Sequence, residues 1–428
     1  MKKYLPLVLV ETYLLATLLL YFFGPINFQT HNTILFLILM FLYHIAFIFG
    51  FCISINTYKI NQLKIDRKFS SKFFYFAFFF AVLSILVTYQ NVMLSSSIIP
   101  YNLFEEVSKG IFSPDQIYLD RMIEIKLADG QSLVSRTSNI FSIFFAFFKL
   151  FFIFYFLYFW NDLNFFKKSL AIFYSFLFLA PGFASGTNSV IFIFFIFLIL
   201  TLIILFYLAK VRFFRTKLIL FGLISLIPVG NFGYIMSRRG GGFEYFSRTS
   251  PLGDISVENL TSNLSSFLDF YYYAFVWLNY YIVQGYYGFS LIINLDLNWT
   301  FGFGNSDFLQ RQFLLITGID LSGSTFQSRI SDYWSSAQWH SFYGQFANDF
   351  GLIGLSILLF ILGYFFAKVW GSVIYNKSFY GASLLPIFAL MFIFFPANNQ
   401  VFGYIDTLSY CLFMTIFWFF EDKKFRFS

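Results

Sequence analysis

Thr33-Ile-Leu-Phe-Leu-Ile-Leu-Met-Phe-Leu-Tyr-His-Ile-Ala-Phe-Ile-Phe-Gly-Phe-Cys-Ile-Ser54 contains no charged residue. As an α-helix rising 1.5 Å per residue it measures about 33 Å, which matches the ~30 Å hydrocarbon core of a bilayer. Runs of this kind recur along the chain. Windows of about 19 residues place ten helices, at Tyr4–Phe23, Thr33–Ser54, Phe73–Met93, Ile140–Trp160, Ser169–Phe183, Ser189–Leu208, Leu218–Met236, Phe350–Val369, Tyr380–Phe395 and Gly403–Phe420. Composition agrees: of 428 residues, 59% are hydrophobic and 11% charged, against roughly 25% charged in a soluble domain. So thin a polar coat excludes a soluble enzyme, a disordered tail protein and a disulfide scaffold. The expected fold class is an all-α polytopic integral membrane protein with about 10 (10–12) transmembrane helices, residues 1–428 forming one membrane domain.

The net charge of +7 takes its meaning from its distribution. The N-terminus, alternate loops and the C-terminal tail carry 18 cations, mostly lysine, against four acids. The opposite side carries nine cations and 15 acids. By the positive-inside rule both termini are cytoplasmic, so the charge reports orientation and not a nucleic-acid partner. Met1-Lys2-Lys3 resembles the start of a signal peptide, but no small-residue cleavage site follows, which reads as an uncleaved first span.

Two outer segments remain, a smaller one at 94–139 and a large one at 237–349. Within the larger, Phe270–Leu295 has no charge and eight Tyr or Trp residues. Tyrosine prefers the interface, so this stretch is expected to lie on the outer membrane surface or to re-enter it, and not to be an eleventh span.

Chemistry-bearing residues are few. Cys52 and Cys411 fall inside spans, and His31, His44 and His340 lack metal spacing. No P-loop, Gly-x-Ser-x-Gly or His-Glu-x-x-His occurs. No metal and no cofactor are expected. Glu11 and Lys149 both sit half-way along apolar runs, and an ion pair between them is expected to hold spans one and four together. Asp406, near the outer end of span ten, is expected to face the same cavity as the outer arginines.

Seven of the nine outer cations are arginine. Lysine suffices for anchoring to lipid, whereas arginine's planar fork of donors suits phosphate. Arg238, Arg239 and Arg248 leave span seven beside Gly240-Gly-Gly242, whose backbone amides would allow close approach to an anion. Arg311 and Arg329 follow in the same segment, and Arg121 and Arg136 lie in the smaller one. The ordinary reading is a solvated loop with arginines paired to its acids. Pro181-Gly-Phe-Ala-Ser-Gly-Thr-Asn188 forms a tight turn in which Thr187 or Asn188 caps the next span. The stretch from Trp334 to Leu355 mixes aromatic faces with Gln, Asn and Asp, and contains His340 and Asp349. With Asp332, these are candidate proton acceptors, among which the residues alone do not choose.

The turn Ser185-Gly-Thr-Asn188, the arginine-rich exit of span seven, Tyr280-Tyr-Ile-Val-Gln-Gly285 and Ala347-Asn-Asp-Phe-Gly-Leu-Ile-Gly354 together resemble the O-antigen and capsule repeat-unit polymerases (Wzy family). The likeness covers most of the length through short motifs. Asn188 stands where many members have arginine. The Arg-x10-Gly repeat of some members is absent, Arg311 to Gly323 being one residue too long. What the resemblance implies is a metal-independent glycosyltransferase of GT-C-like fold in the bacterial inner membrane. It would move a growing glycan from undecaprenyl pyrophosphate to a new lipid-linked repeat unit, beside a chain-length-regulating copolymerase. Arg238, Arg239, Arg248, Arg311 and then Arg329 would clamp the pyrophosphate, with Asn188 and Tyr281 joining the substrate-binding set. Asp332, His340 or Asp349 would be the base. The competing readings are an O-antigen ligase and a flippase or transporter of lipid-linked sugar.

Overall fold

The computed structural model describes residues 2–58, 68–92, 100–113, 116–117, 119–120, 123, 136–208, 229–230, 232–233, 235–236, 252–257, 267–297, 299–334 and 338–427. In chain order the elements are α1 (Leu5–Phe23), β1 (Ile26–Phe28), α2 (Thr33–Asn56), α3 (Ser71–Val92), α4 (Leu103–Phe112), α5 (Arg136–Tyr158), α6 (Phe165–Ala184), α7 (Ser189–Tyr207), β2 (Ile255–Val257), α8 (Phe267–Ile292), α9 (Asp307–Thr317), α10 (Phe326–Arg329), α11 (Phe342–Asn376), α12 (Phe379–Phe394) and α13 (Ile405–Phe427). Among the described residues, five helices are long and apolar enough to cross a membrane: Lys2–Phe23, Thr33–Asn56, Ser71–Gln90, Ser189–Tyr207 and Phe342–Asn376. Ile143–Tyr158 and Phe379–Phe394 are shorter apolar helices. The chain is thus an all-α, multi-pass membrane protein. Expected span seven, Leu218–Met236, falls mostly outside the described residues.

Two compact units divide the chain: Met1–Leu63, Gly240–Asn376 and Phe388–Tyr404 form the first, and Lys64–Arg239, Lys377–Ile387 and Ile405–Ser428 the second.

In the first unit, α2 and α11 run parallel in close contact. Tyr43 donates to the Leu352 carbonyl at 2.9 Å at one end, and Asn376 donates to the Tyr58 hydroxyl at 2.9 Å at the other. Between these bonds Gly50 lies against the Phe360 carbonyl and Gly363 against that of Phe47, with no room for a Cβ at either. Lipid offers helices no hydrophobic reason to associate, so close backbone approach at small residues supplies the packing. α11 is broken at Gly351, whose φ of 78° is the left-handed conformation that glycine adopts without a Cβ penalty.

α8 is the tyrosine-rich stretch, and one face of it packs into the protein. Tyr273, Trp277, Tyr280, Tyr286 and Tyr287 are all buried, while Tyr272 and Phe275 stay exposed. The hydroxyls bond within the protein: Tyr286 with Thr17 at 3.0 Å, Tyr280 to Gln338 at 3.2 Å and Tyr287 to Asp254 at 3.1 Å. A buried Tyr needs such a partner, and these partners come from α1 and from loops remote in sequence.

The second unit is built on aromatic packing of α3 against α5, with ring centroids 5.2 Å apart for Phe74–Phe152 and 5.3 Å for Phe80–Phe148. Lys149 on α5 is buried, ion-paired with Asp406 at the start of α13, and 3.3 Å from the Thr88 hydroxyl. Glu11, in the first unit, pairs instead with His44, Oε2 to Nδ1 at 2.7 Å. The expected Glu11–Lys149 pair is therefore replaced by two others. Helices α1 and α2 form an antiparallel hairpin, and Glu11 and His44 each lie about a dozen residues from its turn. Asp406 faces Lys149.

Candidate functional site

The site begins at the shortest element. β1 pairs antiparallel with β2, in register Ile26↔Val257, Asn27↔Ser256 and Phe28↔Ile255. One more backbone bond, from Gln29 N–H to the Asp254 carbonyl at 2.9 Å, extends the ladder. Gly253, at φ 71°, turns the chain into Asp254. The side chain of Asp254 then meets His31, Nε2 to Oδ2 at 2.7 Å. Tyr287 of α8 donates to the same oxygen at 3.1 Å. The His31 backbone amide bonds the Ser290 hydroxyl at 3.4 Å, and Ser290 donates to the Tyr287 carbonyl at 2.7 Å. Thr30 donates to the Tyr21 hydroxyl at 3.1 Å. Asn32, in the left-handed conformation at φ 49°, bonds Asn294 at 3.1 Å. Both neighbours of His31 are thereby tied down.

A carboxylate only accepts hydrogen bonds, so the His31 nitrogen facing it carries the hydrogen and the neutral ring keeps its lone pair on Nδ1. No described residue bonds Nδ1. The His31 side chain is 39% exposed and that of Asp254 14%: the imidazole is open while its orienting carboxylate is shielded. The His31 ring lies 6.1 Å from that of Tyr287, which is fully buried. Tyr287 meets buried Trp334 edge-on at 5.1 Å, and Tyr281 lies 4.6 Å from Trp339.

The residues expected to carry the chemistry are placed as follows. Arg238, Arg239 and Arg248 lie outside the described residues, as does Arg121, and the Arg136 side chain is not described. Arg311 is exposed on α9, a helix capped by Ser306 and by Gly318 at φ 76°. Arg329 ends α10 and donates to the Asp296 carbonyl. Asn188, in the second unit, occupies the N-cap of α7 without a side-chain capping bond. Tyr281 is half-buried against Trp339, and Asp332 is exposed. His340 is buried, edge-on to Phe326 at 4.9 Å and close to Trp334 across Gly288. Asp320, just before the turn into α10, accepts from the Ser322 amide and hydroxyl, which holds its carboxyl below the usual carboxylate range.

Asp349 is fully buried. Its carboxylate accepts from the Thr300 hydroxyl, from the Gly304 amide at 3.2 Å and from the Asn305 amide at 2.5 Å. Asn348 adds bonds to Thr300 and to the Ser324 carbonyl, both 3.2 Å. The Asn-Asp-Phe-Gly motif thus fastens the 300–305 loop and ends at the Gly351 break. With donors on both oxygens, Asp349 is arranged as an anchor for that loop.

His31 and Asp254 were not among the expected site residues. They are 223 positions apart, and β1 and β2 are too short to give a periodic signal. The usable clue was local: His31 and Asp254 each sit beside a turn, and His31 directly precedes an uncharged run. No group of three His, Cys, Asp or Glu side chains able to hold a metal occurs among the described residues. Comparison with protein-family models, with curated proteins and with solved structures finds no match.

Proposed function

We propose that this chain is a membrane glycosyltransferase that polymerises lipid-linked oligosaccharide repeat units of O-antigen or capsule type. It transfers the growing glycan from undecaprenyl pyrophosphate to the sugar of a new lipid-linked unit, on the outer face of a bacterial inner membrane. The observation that carries this reading is the half-exposed His31, oriented by Asp254, which Tyr287 holds in turn, where α1 ends and α2 begins. Glycosyl transfer asks for a group to receive the acceptor's proton. Arg238, Arg239, Arg248 and Arg311, with Arg329, are the proposed clamp on the leaving pyrophosphate, where positive charge stabilises the negative charge that develops. About ten spans, a GT-C-like arrangement, cytoplasmic termini and a copolymerase partner belong to the same proposal.

Deletion of the gene followed by a gel of surface glycan tests it. The expected result is a lipid core carrying a single repeat. A core bare of any repeat would mean a ligase. Single replacements of Arg239, Arg248 and Arg311 by Ala and by Lys test the clamp, and normal ladders in all of them would remove it.

A second reading, an ion-coupled transporter of lipid-linked sugar, draws on the Glu11–His44 pair. Glu11 Oε1 and His44 Nε2 are buried without hydrogen-bond partners among the described residues, and both side chains line a small pocket with Tyr43 and Tyr343. Ionisable groups at membrane depth are costly and are commonly functional. Translocation of lipid-linked sugar that survives in glycan-forming vesicles after both residues become Leu would set this reading aside.

A further inference from the structure

We infer that His31 is the base that takes the proton from the acceptor sugar's hydroxyl, with Asp254 and Tyr287 as its positioning residues. The inference rests on the glycosyl-transfer reading above and adds to it the residue and atom at which the proton moves. Of the four candidate acceptors, His31 alone is both held and open. His340 is enclosed by Phe326 and Trp334. Asp349 is fully buried, with donors on both oxygens. Asp332 is exposed, but no hydrogen bond among the described residues fixes its direction. His31 is fixed from two sides, by Asp254 at Nε2 and by Ser290 at its backbone amide, and its Nδ1 remains to receive a proton.

The acceptor hydroxyl oxygen bonds the anomeric carbon of the donor glycan. The bond from that carbon to the pyrophosphate oxygen breaks, and lipid pyrophosphate leaves with the electron pair. The hydroxyl proton passes to Nδ1 of His31. The resulting imidazolium is stabilised by the Asp254 carboxylate until water takes the proton. Tyr287 keeps that carboxylate from rotating away. Among the described residues, the titratable groups facing His31 are Asp254 before β2 and Tyr287 on α8. Tyr21 of α1 is bonded by Thr30, the residue before His31.

The test uses the full chain in phosphatidylethanolamine–phosphatidylglycerol vesicles, with the undecaprenyl-pyrophosphate oligosaccharides extracted from cells lacking the gene. If the wild-type chain adds no repeat units, the glycosyl-transfer reading itself fails. Given wild-type activity, H31Q is expected to lower kcat by about 10²- to 10³-fold, with KM within about threefold. The acid limb of kcat against pH should vanish in H31Q, whereas a merely structural loss would scale the rate down equally at every pH. D254N is expected to lower kcat by roughly 10- to 100-fold while keeping that limb. H31A should regain activity with added imidazole, which separates a missing base from a broken fold. A kcat within threefold of wild type in H31Q, an acid limb that survives there, or no imidazole rescue of H31A would each overturn the assignment.

Discussion

Among the described residues of the first unit are two histidine–carboxylate pairs, both closed at 2.7 Å, whose surroundings differ. His31–Asp254 joins a turn to the residue before β2, its carboxylate takes a second bond from Tyr287, and its histidine is 39% exposed. His44–Glu11 joins two apolar helices, with side chains 16% and 20% exposed, and leaves one polar atom on each partner buried and unbonded among the described residues. The first pair is satisfied and open, which is the arrangement of a reacting group held in place. The second is closed and half-satisfied, which costs stability unless something further uses it. A short bond between a histidine and a carboxylate therefore says little. What surrounds the two unused atoms decides what the pair is for.

The largest expected effect comes from breaking the open pair. His31→Gln removes the base and keeps a polar group of similar reach. The predicted rate loss corresponds to about 3–4 kcal/mol of barrier at 1.36 kcal/mol per decade. Thermal unfolding in detergent should move by no more than about 1–2 °C, because an exposed side chain contributes little to packing. Falls in both rate and Tm would make His31 a structural residue and would erase the contrast.

Breaking the closed pair should do the reverse. His44→Leu leaves the Glu11 carboxylate buried against apolar neighbours and is expected to cost about 2–3 kcal/mol of stability. The double replacement Glu11→Leu/His44→Leu should recover most of that loss, since a buried pair exchanged whole for apolar residues is often neutral or stabilising. Repeat-unit addition should change by less than threefold in the double variant, assayed in the same vesicles. A double variant as stable as wild type but inactive would give the membrane-depth pair a function.

Asp349→Asn sharpens the same comparison from the anchored side. The amide has one acceptor oxygen where the carboxylate has two, so one of the three donors from Thr300, Gly304 and Asn305 is left facing another donor. A loss of about 2 kcal/mol in unfolding free energy is expected, with proteolysis near residues 300–305 as the local readout. Unchanged stability with lost activity would return Asp349 to the role of base that the sequence pattern suggested.

These contrasts also explain how far the sequence could be read. Apolar runs define helices because the membrane leaves the backbone no other partner, and so Thr33–Ser54 anticipates α2 at Thr33–Asn56 and Ser189–Leu208 anticipates α7 at Ser189–Tyr207. The Glu11–His44 pair was legible in principle, since the two residues stand equally far from the α1–α2 turn. Depth alone was the wrong guide, because it matches Glu11 with Lys149 equally well. The His31–Asp254 pair was not legible. It depends on two three-residue strands meeting across 223 positions, and a contact of that separation is fixed by tertiary packing. Asp349 was found by its motif, but its role was set by Thr300, Gly304 and Asn305, which no spacing rule ties to it.

The smallest effect falls on the residue that makes the open pair more than a pair. Tyr287→Phe keeps the ring against Trp334 and removes only the hydroxyl that bonds Asp254. The carboxylate then keeps His31 as its one side-chain partner and gains freedom to rotate. One hydrogen bond of this kind contributes about 1 kcal/mol net, so kcat should fall roughly fivefold, with KM and the acid limb unchanged. Combining Y287F with H31Q should add nothing further, because a positioning residue has no effect once the group it positions is gone. Additive losses in the double variant would mean that Tyr287, which is fully buried, acts on the rate by a route other than His31, and its bond to Asp254 would then not be a positioning contact.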